Sequence, residues 1–102
     1  MTPIEELRIE MEKYHKLYVD KVGTKPILHE LNADAFKMAI SSIENKGLKD
    51  TYEFLKADRD KFAESPGGLS GNLAHAYGLV IGKLWKHYQN LNKEGKENEK
   101  SN

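Results

Sequence analysis

Apolar residues recur every three or four positions in four separate stretches of this chain, and glycine or proline interrupts the pattern between them. That interval matches one helical turn, so each apolar set falls on one face of an α-helix. The first stretch is Ile4, Leu7, Met11, Tyr14 and Tyr18. Thr2-Pro3-Ile4-Glu5 ahead of it has the spacing of a capping box, with proline at the first helical position. Glu5, Glu6 and Glu10 suit the positive end of the helix dipole, and Lys16 and Lys21 lie nearer its negative end. Gly23 and Pro26 then break the pattern, which predicts a first helix over 3–22.

Residues 24–31 fit several conformations. Pro26 pushes the residue before it away from the α region, so an extended connector is expected, with a short strand or a helical turn over 26–31 as the alternatives. Asn32 can then cap a second helix over 33–46, with Leu31 and Phe36 as a hydrophobic staple. Its stripe is Phe36, Ala39, Ile40 and Ile43, and Lys46-Gly47-Leu48 reads as a Schellman-like stop. Leu48, Tyr52, Leu55 and Phe62, widened by Phe54, predict a third helix over 49–63. Helices two and three have almost no linker, so they should be antiparallel or steeply crossed neighbours. Ser65-Pro66-Gly67-Gly68 is the strongest break in the chain.

The fourth helix is expected over 71–91. Leu73, Tyr77, Val80, Leu84, Tyr88 and Leu91 form its seam, and Ala74, Gly78, Ile81, Gly82 and Trp85 form a second strip beside it. A helix apolar nearly all round is expected to be central and packed on two sides. Val80-Ile81 leave a strand over 77–84 as an alternative. The last eleven residues hold three Lys, three Glu, three Asn, one Gly and one Ser, and no apolar residue. Such a segment cannot offset the entropy of ordering, so 92–102 reads as a disordered polar tail. The expected architecture is an all-α, four-helix bundle-like domain over 1–91. A domain of this size buries only about two-thirds of its unfolded surface, so self-association would help it.

Composition narrows the function classes. With 0 Cys there is no disulfide framework, no cysteine zinc site and no thiol nucleophile. The start of the chain has no apolar signal-peptide core, and no apolar run is long enough to span a membrane, so a cytoplasmic location without membrane contact is expected. Lys+Arg and Asp+Glu are 16 each, without the basic excess of a nucleic-acid binder. Helices two and three could imitate a helix-turn-helix. However, the reading helix would carry Asp50, Glu53, Asp58, Asp60 and Glu64 towards phosphate, so no nucleic-acid partner is expected.

Two features could carry function. Ser65, Gly67, Gly68, Ser70, Gly71 and Asn72 lead into a helix, where open glycine backbone and free N–H groups can hold an anion. The stretch lacks the Gly-Lys-Ser/Thr ending of a P-loop. His75, one turn on, could face that loop or be buried among apolar neighbours. No two histidines stand at the i, i+4 spacing of a helical zinc site, Asp58, Asp60 and Glu64 lack a calcium-loop pattern, and no metal or cofactor is expected. The second feature is Ala74, Gly78 and Gly82, four residues apart on one helix face. Such small residues form a groove for another backbone, either at a close crossing inside the monomer or in a homodimer, with Trp85 alongside. Tyr14 and Tyr18 widen the first helix's seam and suit an interface, since tyrosine is apolar in its ring and wet at its hydroxyl.

Nothing in the sequence reads as catalytic machinery. The expected function is that of a small non-enzymatic interaction or regulatory protein, docking helix faces on itself and on a protein partner. The alternative is a binder of a phosphate-bearing small molecule at the Gly-rich loop, 65–72. Small cysteine-free helical chains rich in Lys and Asn are often regulators or inhibitors, including accessory proteins of phage and mobile elements; that expectation is analogy alone.

Overall fold

Among the described residues four helices succeed one another: α1 (Pro3–Val19), α2 (Ile27–Lys46), α3 (Leu48–Glu64) and α4 (Gly68–Ser101). This computed structural model describes residues 1–65 and 67–91 in full, and 92–101 by backbone alone. The disordered tail expected over 92–102 lies outside the fully described residues. Among the described residues there is no strand, so the strand alternatives at 26–31 and 77–84 fall away.

The start of α1 is set as its sequence predicts. Thr2 Oγ1 accepts from the Glu5 N–H at 3.2 Å and donates to Glu5 Oε1 at 3.0 Å, with Pro3 in the first turn. Its end comes earlier than expected. Lys21 N–H donates to Tyr18 O and Val22 N–H to Leu17 O, both at 3.1 Å, which closes a Schellman motif around Lys21 at φ 54°. The stop therefore precedes Gly23, and residues 20–22 lie outside the helix.

Residues 27–31 are helical, which corrects the extended connector. Proline restricts the residue before it, Lys25, which lies outside the helix; Pro26 itself, at φ −57° and ψ −27°, is preset for a helical start. Asn32 consequently sits inside α2, buried, and caps nothing. At the α2–α3 corner Gly47 has φ 92° and ψ 168°, a region essentially reserved for glycine, and is not in the left-handed helical conformation of a Schellman stop. One residue thus ends α2, through Gly47 N–H to Ile43 O, and begins α3, through Thr51 N–H to Gly47 O.

The tightest pairings are α1 with α2 and α3 with α4. These two hairpins meet mainly through α2 and α4. Leu7 of α1, Phe36 of α2, Leu55 of α3, and Val80 and Leu84 of α4 are fully buried at the centre. Near the Gly47 corner, Ser42 Oγ and buried Thr51 Oγ1 share a hydrogen bond of 2.7 Å, which satisfies both hydroxyls between α2 and α3.

Candidate docking surface

The outer side of α4 differs from its expected place. Ala76, Val80, Ile81 and Leu84 form its buried face. At ~100° per residue, Gly82 lies about 160–200° round the helix from Val80 and Leu84 and points away from the core. A Cβ built on Gly82 meets no atom within 4 Å, and one on Gly78 meets only Arg59 Cδ at 3.8 Å. The described residues therefore contain no close backbone crossing along the Ala74, Gly78, Gly82 strip. Trp85, 48% exposed, packs its ring against Tyr52, the two ring centroids 6.2 Å apart. α4 does pack on two sides, against α3 and α2, and Ile81 of the second strip is buried; the rest of that strip is not enclosed, with Ala74 and Gly78 half-buried and Gly82 and Trp85 exposed.

A groove of about 440 Å³ runs between this side of α4 and α1. Ile9, 52% exposed, stands on its α1 side, and Gly82 and Trp85 on its α4 side. Its floor is bridged by ion pairs: Lys83 Nζ lies 3.4 Å from Glu10 Oε1, and Lys86 Nζ lies 2.9 Å from Glu6 Oε1. His87 Nε2 comes within 3.2 Å of Glu6 Oε2, too poorly aligned for a hydrogen bond. Hydrogen bonding to Lys86 holds the Glu6 carboxyl below its usual range; partial burial opposes that shift, and His87 adds to it. Glu6 and Glu10 have side chains only 15% exposed, so both are fixed components of the groove.

Sequence reasoning missed Ile9, Glu6 and Glu10 as parts of one surface. Ile9 interrupts no pattern and lies off the seam. The Glu/Lys pairing is hidden in the sequence because it joins two helices at opposite ends of the chain. The tyrosines of α1 face another way. Tyr14 is half-buried and stacks on Phe36 of α2, centroids 5.8 Å apart, inside the first hairpin. Tyr18 is half-buried, and hydrogen bonding to Glu30 of α2 raises its hydroxyl pKa.

The Gly-rich stretch is mostly helix. Gly68, Ser70, Gly71 and Asn72 lie in the first turns of α4, and only Ser65 and Gly67, at φ 117°, remain as described linker residues. Glycine is tolerated there because the first N–H groups of a helix need no partner within it. Ser65 Oγ donates to Lys61 O at 3.1 Å, closing α3. His75 is exposed, not buried. Asn72 and His75 do line a cleft of about 350 Å³, against Lys25, His29 and Asn32 from the other hairpin; Ser65, Gly67, Gly68, Ser70 and Gly71 do not. His29 closes one wall, its Nε2–H donating to Val22 O at 3.0 Å.

Among the described residues no group of three or more His, Asp or Glu could hold a metal ion, and no helix is long and apolar enough to cross a membrane. No protein-family model, curated protein or solved structure matches the chain.

Proposed function

We propose that the protein is a small, non-enzymatic interaction protein that docks through the outer face of α1 and α4. The supporting observation is the groove where exposed Ile9 and Trp85 flank the open space at Gly82. Exposed aromatic and aliphatic side chains around a depression are the usual anchors of an interface, and a polar rim sets the register. A regulator or inhibitor in the cytoplasm fits this reading, and an accessory protein of phage or mobile elements is one such role.

The test is native capture followed by mass spectrometry, with wild type, Trp85→Asp and Leu69→Asp in parallel. Leu69 is exposed at the far end of α4 and serves as the control. A protein retained by wild type and Leu69→Asp, and lost with Trp85→Asp, is the expected result. The same retained set for all three would contradict the assignment.

A second reading, a binder of a phosphate-bearing small molecule, is supported by the cleft at Asn72 and His75, where Lys25 adds a cation. Phosphate and common nucleotides, titrated while the His75 ring is followed by NMR, should move its ring signals and raise the melting temperature together if they bind there. Unmoved His75 signals across the panel would remove this reading.

A further inference from the structure

We infer that the occupant of the α1/α4 groove is a second copy of this chain, related to the first by a two-fold axis running along the groove. The inference rests on the docking reading above and names its partner. Two features of the surface select this arrangement independently.

The first is charge. Glu6 and Glu10 form an acidic row on α1, and Lys83 and Lys86 a basic row on α4. A two-fold axis along the groove carries α1 of one copy over α4 of the other. Each acidic row then faces a basic row, and the symmetry repeats the match. The internal ion pairs become a four-row network. A two-fold axis across the groove would instead lay α4 over α4, setting Lys83 and Lys86 of one copy against those of the other.

The second is shape. Ile9 is an exposed knob, and the space over Gly82, beside Trp85, is a hole. Glu6 pairs with Lys86 and Glu10 with Lys83, so the two helices run antiparallel. That order sets Ile9 at a level between Lys83 and Lys86, beside Trp85 and less than one turn from Gly82, and all three line the groove. An axis along the groove preserves that level. Ile9 of one copy therefore arrives against Trp85 of the second, within a turn of the open space at its Gly82, and the reciprocal contact forms at the other side.

The absence of native cysteine makes the test direct. Full-length Ile9→Cys and Gly82→Cys chains, mixed under a mild thiol oxidant, should give the mixed disulfide dimer in preference to either self-linked product. In parallel, Glu6→Lys/Glu10→Lys and Lys83→Glu/Lys86→Glu chains are studied alone and mixed, with circular dichroism confirming the helical fold. Alone, each should dimerise roughly tenfold or more weakly than wild type, because like charges then face each other. Mixed one to one, they should form a heterodimer. Self-linked Ile9→Cys dimers without the mixed product would overturn the register. A wild type that stays monomeric while Trp85-dependent capture of another protein persists would overturn the second copy and leave the docking reading standing.

Discussion

The inner and outer faces of α4 both carry apolar residues, and these have opposite fates. Ala76, Val80 and Leu84 are fully buried against the rest of the domain. Gly82 and Trp85, a fraction of a turn away, face open space. The difference arises from what the neighbouring helices offer. α3 packs along one side of α4 and α2 along another, whereas α1 approaches more loosely and leaves a charged groove. One surface of this helix is consumed by folding, and the other is the one proposed for association.

Substitutions on the two faces should separate these roles. Leu84→Ala removes a fully buried side chain and should cost about 2–5 kcal/mol in urea unfolding, enough to threaten a domain this small. A loss below about 1 kcal/mol would show that the inner face is not the core. Gly82→Ala should work in the opposite direction. It gains up to about 1 kcal/mol of helix propensity with no clash, measured at a dilution where dimer is absent. Destabilisation there would mean that Gly82 is close-packed after all.

Trp85→Gln should change folding stability by only about 0.5–1 kcal/mol, since half the side chain is already wet, while sharply weakening self-association. If folding and association fell together, the two faces would not be separable. The smallest effect is a pH dependence. The Glu6 carboxyl sits below its ordinary value of 4.5 in the folded chain, chiefly through Lys86. Its contribution is complete above pH 4.5 and fades as pH falls through the folded-state value, because the unfolded chain takes the proton first. Glu6→Gln should flatten that part of an acid titration of stability.

The fold is largely legible in the sequence. The Thr2 cap, the Gly47 corner and the Ser65–Gly68 break all mark real boundaries, because local hydrogen bonding and backbone sterics decide them. Sequence and structure part where one local rule displaces another, or where tertiary packing decides. Pro26 suggests an extended run over 27–31, yet proline constrains Lys25 before it and leaves the residues after it free to be helical. The glycines at 68 and 71 suggest loop, yet the first turn of a helix asks little of its residues. The site is less legible. The small-residue strip is visible, but nothing in the sequence tells which side of α4 faces the core. That depends on whether the seam or the strip wins the interior, and the larger side chains Val80 and Leu84 win it. Ile9 and the Glu6–Lys86 and Glu10–Lys83 pairs belong to the surface only once α1 and α4 lie side by side.

Sedimentation equilibrium on the full-length wild type tests the central claim that the outer face of α4 is an association surface. The account predicts a dimer whose population grows with concentration and disappears with Trp85→Gln. A clean monomer at high micromolar concentration, unchanged by that substitution, would contradict it.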